Sequence, residues 1–252
     1  FTDGLCADGA GGVYFSDLPS GIIYHVGAEG QVRPWLEEGL KVSGMGLGQE
    51  KLYAAVQGRG EGKTKSIVAI DLQTKAIEVM ATRVDPNDLI VSKAGFLYFT
   101  DTKAGSVARL PLVAREMSRP PTVAAGINRP NGIGLNADET ALLVSEHGGD
   151  RVWSFPIGDH GELLGGERLM TLRRPEADQP ARGDGLATDR ESRSYVTSKE
   201  GIQVFDHLGH SLGILAPPTS DKPVVSCGFG GSWLYVCHGD RVYRRKTSTS
   251  GH

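Results

Sequence analysis

Six short apolar segments, each with a tyrosine or leucine near its centre, recur along the chain. Their central residues are Tyr14, Tyr53, Tyr98, Leu143, Tyr195 and Tyr235, and the steps between them are 39, 45, 45, 52 and 40 residues. A further alternating segment follows each of them, and short polar turns lead to a fourth. A repeat of about 40 to 45 residues with about four strands is typical of a propeller blade. The pattern therefore predicts an all-β fold, a six-bladed β-propeller with four-stranded blades around a central channel.

A short polar element stands ahead of each central residue. The elements are Asp3-Gly4-Leu5, Ser43-Gly44-Met45, Asn87-Asp88-Leu89, Asn131-Gly132-Ile133, Asp184-Gly185-Leu186 and Ser226-Cys227-Gly228. Each is predicted to begin the innermost strand of its blade, and innermost strands line the axis of a propeller. The first residues should therefore form one ring around the channel, with Ser226 or Cys227 in the sixth place.

Four members of this ring carry side-chain oxygens, namely Asp3, Asn87, Asn131 and Asp184. Asp-Gly and Asn-Gly are also common turn signals, so any one of them alone would predict only a turn. Four oxygen-bearing residues at equivalent places in the repeat favour binding of one shared ligand. Hard cations such as Ca²⁺ take oxygen ligands, whereas zinc prefers nitrogen and sulfur. The sequence thus predicts a Ca²⁺ site at the channel mouth, in which Zn²⁺, Mn²⁺ or Mg²⁺ could substitute.

The sequence contains no GxSxG motif and no cysteine with an evident base beside it. Attack by water on an ester-like bond, polarised by the metal, is therefore the predicted chemistry. Asp184 or Asp3 would accept the proton. Two alternatives stay open, which are phosphotriester hydrolysis on the same ring and a non-catalytic propeller module that binds calcium or a ligand.

Composition narrows the class of protein and its partners. The 35 glycines and 13 prolines are scattered over the 252 residues, as expected for many short strands and turns. We expect a single domain that spans 1–252. Its last few residues are expected to be disordered or not native to the protein. A net charge of −3 gives no reason to expect nucleic acid or an anionic membrane as a partner. No apolar run approaches the roughly 20 residues of a membrane span. We expect a soluble monomer or weak dimer that acts on a small molecule, in a compartment that is left open.

Together these motifs resemble the regucalcin, gluconolactonase and luciferin-regenerating enzyme family of six-bladed propellers. The resemblance runs along essentially the whole chain, through residues 1–4, 14–17, 85–88, 98–101, 129–133, 183–186 and 201–206. It implies one bound divalent metal and calcium-dependent hydrolysis of a small lactone.

The resemblance also implies individual roles. Asp3 stands where the family usually has a glutamate ligand, one methylene longer. Asn131 resembles the carboxamide ligand, and Asp184 resembles the ligand that also acts as general base. Asn87 resembles the asparagine that completes the metal site and contacts substrate.

Further substrate contacts are predicted near the ring. Glu146 and His147 stand where the family commonly has an Ala-Asp-Thr or Ala-Asp-Ser element. Arg182 lies two residues before Asp184, and His238 ends the last of the six recurring segments. For each of them, a residue that simply faces solvent is the alternative.

Overall fold

The computed structural model describes residues 1–59, 61, 64–113, 116–219 and 221–251. Blade 1 holds β1 (Thr2–Ala7), β2 (Val13–Asp17), β3 (Ile22–Val26) and β4 (Val32–Leu36). Blade 2 holds β5 (Leu40–Gly48), β6 (Lys51–Arg59), β7 (Ser66–Asp71) and β8 (Ile77–Thr82). Blade 3 holds β9 (Pro86–Val91), β10 (Phe96–Asp101), β11 (Ser106–Pro111) and β13 (Thr122–Ala125), and β12 (Met117–Ser118) precedes β13 in the chain.

The second half of the chain repeats the arrangement. Blade 4 holds β14 (Pro130–Leu135), β15 (Ala141–Glu146), β16 (Arg151–Pro156) and β17 (Glu167–Thr171). Blade 5 holds β18 (Leu186–Thr188), β19 (Ser194–Ser198), β20 (Gly201–Phe205) and β21 (Ser211–Leu215). Blade 6 holds β22 (Val224–Gly230), β23 (Trp233–His238) and β24 (Arg241–Lys246).

The six sheets close into a ring. The innermost strands β1, β5, β9, β14, β18 and β22 each contact the next one, and β22 contacts β1. This cyclic order confirms the predicted six-bladed propeller. Within the ranges described above, no helix is long and apolar enough to cross a membrane.

Two blades depart from the predicted four strands. β12 pairs in parallel with β8, through Met117 and Ala81, so blade 2 has a fifth short strand. In the described residues blade 6 has three strands, because the chain after β24 turns away from its edge. The Thr247 N–H donates to Ser232 O at 2.8 Å, and Gly251 forms an isolated bridge with Asp189 of blade 5. The last residue, His252, lies outside the described residues.

The core lies between adjacent blades and is built on the recurring aromatic positions. Tyr53 and Tyr98 are 1% and 0% exposed. Tyr53 packs with Leu89 and Phe99 between blades 2 and 3. Full burial of such a side chain contributes about 1.5 to 3 kcal/mol. The repeat length of the sequence is therefore also the repeat length of the core.

Candidate catalytic and cation-binding site

The predicted ring residues lie at equivalent places in the first strands. In blades 1 to 4 the ring residues are Asp3, Ser43, Asn87 and Asn131. The residue just before each of them pairs with a residue near the end of the second strand of the same blade. These pairs are Thr2 with Asp17, Val42 with Val56, Pro86 with Asp101 and Pro130 with Glu146. Asp184 lies just before β18, and its N–H extends the ladder of blade 5 by donating to Thr197 O at 2.9 Å. The common register places these residues at one end of the channel.

The sixth place differs from the prediction. Val224 pairs with His238, the last residue of β23, so Val225 stands at the ring position. The Ser226 hydroxyl, one residue further on, accepts a hydrogen bond from a backbone N–H of β1 at 3.1 Å. Cys227 is buried, and its thiol donates to a backbone carbonyl of blade 5. Blade 6 therefore brings no carboxylate or carboxamide to the ring.

Glycines behind the ring let neighbouring first strands approach each other closely. A Cβ on Gly132 would lie 2.0 Å from the Asp184 carbonyl oxygen, and a Cβ on Gly44 would lie 2.4 Å from Asp88 Oδ1. Real Cβ atoms cannot come so near, so only glycine fits. The glycine in the second place of the blade 2 and blade 4 elements is thus a packing requirement.

Buried hydroxyl groups of the second strands bond the ring residues Asn131 and Asp184 to the preceding blade. Thr100 in β10 donates to Asn131 O of blade 4 at 2.7 Å, and Ser145 in β15 donates to Asp184 O of blade 5 at 2.7 Å. Both hydroxyl-bearing residues are 0% exposed. Sequence reasoning missed these clips. Their signal was present, since a serine or threonine recurs near the end of the second strand in most blades.

Three carboxylates share the mouth of the channel. Burial raises the pKa of Asp3 to about 7, against a weaker opposing effect of its hydrogen bond from Gly4 N. Burial, followed by the charges of Asp3 and Asp88, raises the pKa of Asp184 well above its usual range. Because these groups repel one another in a poorly solvated place, the site favours a positive charge among them.

Asp88 is a carboxylate near the ring that the sequence analysis did not single out. The register of β9 against β10 shifts between Pro86 and Leu89, so that Asn87 and Asp88 both lie opposite one residue of β10. Such a bulge re-aims a side chain. Burial first, and then the charge of Asp3, raise the pKa of Asp88 to about 8. Its carboxylate accepts hydrogen bonds from Leu89 N at 2.8 Å and from the first strand of blade 4 at 3.4 Å.

His147 lies beside two of the predicted ligands. Its Nδ1 is 3.8 Å from Asp184 Oδ2 and 3.5 Å from Asn131 Nδ2. Burial, and then the charges of Arg129 and Arg182, lower the pKa of His147. The imidazole is therefore neutral near pH 7 and can serve as a hydrogen-bond partner at the mouth.

Glu146 and His238, both predicted to contact substrate, are used inside their own blades. Glu146 is 3% exposed and accepts hydrogen bonds from Trp153 Nε1 at 2.8 Å and from Asn128 N at 3.1 Å. His238 is 1% exposed and lies 2.8 Å from Thr219 Oγ1 through Nε2. Both side chains have structural partners already, so we leave them out of the substrate site proposed below.

Asn87 and Arg182 remain available for ligands. The Asn87 backbone carbonyl accepts from Ser43 Oγ at 2.6 Å, while its carboxamide has no partner in the part of the chain that the structure describes. Arg182 is exposed, as is Arg129, and neither guanidinium has a hydrogen-bond or ion-pair partner among the described residues.

The donors suit a hard cation, although they are not drawn together into a tight cage. Among the described residues, no three His, Cys, Asp or Glu side chains converge closely enough to hold a metal ion. The predicted set, however, includes the carboxamides of Asn87 and Asn131 beside Asp3 and Asp184. Carboxylate and amide oxygens with water are ligands that Ca²⁺ accepts in flexible geometry. The residues therefore fit an oxygen-coordinated divalent cation by their chemistry and charge.

The fold and the site together define a six-bladed propeller with an acidic ring at one mouth of its channel. The chain belongs to the SMP-30/gluconolactonase/LRE-like family, whose model matches residues 1–237. It is 29% identical over 245 residues to the gluconolactonase of Zymomonas mobilis, a match that covers 88% of this chain and 66% of that protein.

Solved structures show the same fold. A gluconolactonase of Xanthomonas campestris superposes with a TM-score of 0.79 at 23% identity, over 97% of this chain and 85% of that one. Regucalcin of Agrobacterium tumefaciens, a calcium-binding protein, superposes with a TM-score of 0.78 at 15% identity, over 100% and 92% of the two chains.

Proposed function

We propose that this protein is a divalent-cation-dependent lactonase, gluconolactonase-like, with Ca²⁺ as its metal. The observation that carries the proposal is that the buried Asp3, Asp88 and Asp184 carboxylates lie near enough to raise one another's pKa at the channel mouth of a member of this family. Asp3, Asn87, Asn131 and Asp184 would hold the cation, with Asp88 adding negative charge beside them. When bound, the cation would polarise the lactone carbonyl.

Asp184 is the proposed general base. Its carboxylate takes a proton from water, and the water oxygen bonds to the carbonyl carbon of the lactone. The ring C–O bond then breaks, and the ring oxygen leaves with the proton that Asp184 returns. Lactone and water thus give one hydroxy acid. A cation beside this carboxylate would favour its ionised form, so Asp184 would be ready to accept the proton.

His147 and Asn87 are the proposed substrate contacts. The neutral imidazole lies 3.8 Å from Asp184 Oδ2, so it can share a hydroxyl of the substrate with the base. The Asn87 carboxamide has both donors and its acceptor available. These two groups would orient the sugar while Asp184 acts on water.

The test is a panel of aldonolactones and aryl lactones assayed with Ca²⁺, Zn²⁺, Mn²⁺ or Mg²⁺ and with EDTA. We expect hydrolysis of at least one lactone, its loss in EDTA, and full recovery with excess Ca²⁺. Hydrolysis that persists in EDTA, with no cation retained by elemental analysis, would overturn the metal requirement. Binding of Ca²⁺ without turnover of any lactone would favour a ligand-binding module instead.

A further inference from the structure

Two arginines occupy the same place in neighbouring blades. Arg129 lies two residues before Asn131, and Arg182 lies two residues before Asp184. Their backbones have nearly the same left-handed conformation, with φ of 54° and 55°. Equal register and equal backbone geometry place the two residues at the same height around the axis. Two residues before the ring position, blades 1, 2 and 3 have Phe1, Lys41 and Asp85. An arginine at this position is therefore particular to blades 4 and 5.

Backbone contacts bring both arginines to His147. The His147 N–H donates to Arg129 O at 2.9 Å, and the Ala181 N–H donates to Gly149 O at 3.0 Å. Gly183 packs directly on the end of β15, where a Cβ would lie 3.0 Å from Glu146 O. These contacts place the Arg129 and Arg182 backbones next to the strand end that carries His147. Both arginine charges are near enough to act on the imidazole, since each lowers the pKa of His147.

The two guanidiniums are uncompensated. Both side chains are exposed, and within the described ranges neither has an ion-pair partner. By contrast, Asp85 at the same place in blade 3 is paired with Lys65. A divalent cation bound among the three carboxylates would leave one negative charge there, against the two positive charges of Arg129 and Arg182. The two arginines would then give the blade 4 and blade 5 side of the mouth a net positive charge beside the proposed base.

From this arrangement we propose that Arg129 and Arg182 bind an anionic group on the substrate, so that the lactone hydrolysed at this site carries a phosphate or a carboxylate. The inference rests on the proposed lactonase function. Guanidiniums bind both kinds of oxyanion, often through two parallel hydrogen bonds, and two arginines near one imidazole suit a group with several oxygens. The anion would fix the far end of the substrate while its carbonyl lies over Asp184.

The kinetic test compares three lactones that share one sugar ring, which are neutral gluconolactone, the same lactone with a terminal phosphate, and glucaric acid lactone with a terminal carboxylate. We expect kcat/KM to be at least about tenfold higher for one or both anionic lactones than for the neutral one. Arg129→Gln and Arg182→Gln should each lower that kcat/KM by about tenfold, mainly through KM, and should lower kcat/KM for the neutral lactone by a clearly smaller factor. The preferred anion identifies which of the two groups the site takes.

Arg190→Gln is the matched control, because Arg190 is an exposed arginine in the loop at the opposite end of blade 5. Arg182→Lys, which keeps the charge, should recover part of the loss. Equal kcat/KM for neutral and anionic lactones, or an equal effect of Arg190→Gln and Arg182→Gln, would overturn the inference.

A binding measurement distinguishes failure of this inference from failure of the proposed function. Phosphogluconate, the hydrolysis product of the phosphate-bearing lactone, needs no turnover to bind and can be titrated calorimetrically into the Ca²⁺-loaded protein. We expect weaker binding at higher NaCl and in both Arg→Gln variants. If no lactone is hydrolysed but this binding is seen, the lactonase proposal fails and the anion site stands. If lactones are hydrolysed without anion preference and no phosphogluconate binds, the anion site fails alone.

Discussion

The two ends of the central channel differ in chemistry although the same first strands build both. One end carries the acidic ring. The other is a cavity of about 510 Å³ lined largely by apolar side chains, among them Leu5, Leu135, Leu186 and Phe229. Along the first strand of blade 1, the channel lining changes from acidic to apolar within two residues, from Asp3 to Leu5. Both residues can face the channel because alternate side chains of a strand face the same side. The comparison teaches that one set of strands can build two chemically different ends. At the acidic end, burial is the main reason for the raised pKa values of the carboxylates.

The largest expected effect is at the acidic end. Asp184→Asn keeps the shape of the side chain but removes the proposed proton acceptor, so kcat for the best lactone should fall by about 10³-fold. Asp178→Asn is the control, since Asp178 is exposed and lies outside the ring. Steady-state kinetics on folded, Ca²⁺-saturated protein measure the change. An Asp184→Asn enzyme with more than about a tenth of the original kcat would exclude Asp184 as the base.

A change at the apolar end should affect stability and leave the chemistry alone. Leu135 is 1% exposed and packs between blades 3 and 4. Leu135→Ala should lower the free energy of unfolding by about 2 to 5 kcal/mol, because it leaves a cavity. Leu164→Ala, at a half-exposed site, should change it by less than about 0.5 kcal/mol. Urea denaturation measures both variants, and kcat of the folded Leu135→Ala protein should stay unchanged. A large fall in kcat would show that the two ends are coupled.

Asp88→Asn sharpens the comparison within the acidic end. The substitution removes one of three negative charges but keeps an oxygen in place, so Ca²⁺ affinity should fall by about tenfold. Calorimetric titration of Ca²⁺ gives this value without any substrate. Asp178→Asn should bind Ca²⁺ like the unmodified protein. Unchanged affinity in Asp88→Asn would remove Asp88 from the cation site.

The last prediction concerns a pH dependence of the metal-free protein. The folded-state pKa values of Asp3 and Asp88, about 7 and about 8, exceed the ordinary value of 3.8. Between these limits the folded protein holds protons that the unfolded chain has lost, so stability should fall as pH rises from about 4 to about 8. Thermal melts in EDTA measure the trend.

Added Ca²⁺ provides the control for that experiment. It competes with protons for the same carboxylates, so it should raise the melting temperature more at about pH 8 than at about pH 5. A metal-free protein that becomes more stable toward pH 8, or an equal effect of Ca²⁺ at both values, would contradict the prediction.

Much of the architecture could be predicted because it repeats. The spacing of the tyrosines predicts six blades, and Tyr98 and Tyr235 are indeed buried at 0% and 1% exposure. The first residues of the polar elements could be aligned for the same reason. The number of strands in blades 2 and 6 could not be predicted in this way. An outer strand forms where the edge of a sheet meets a segment from elsewhere in the chain, as β12 does beside β8. Such contacts leave no period in the sequence.

The candidate site was predictable by position and less so by orientation. No role was predicted for Asp88 from the sequence, because one bulge decides whether Asn87, Asp88 or both reach the channel. Glu146 and His238 stood near the mouth in the sequence pattern, yet their side chains bond within their own blades. A strand residue can face either side after a single register shift, and the sequence does not record that shift.

By itself, the sequence determined the blades, the family and the residue types at the channel mouth, because these depend on alternation and repeat length within short segments. Only the tertiary structure decided which carboxylates share a charge environment, which hydroxyls clip one blade to the next, and that Arg129 and Arg182 lie near one histidine. These relations join residues that are distant in sequence, so they depend on how six separate sheets meet at one axis.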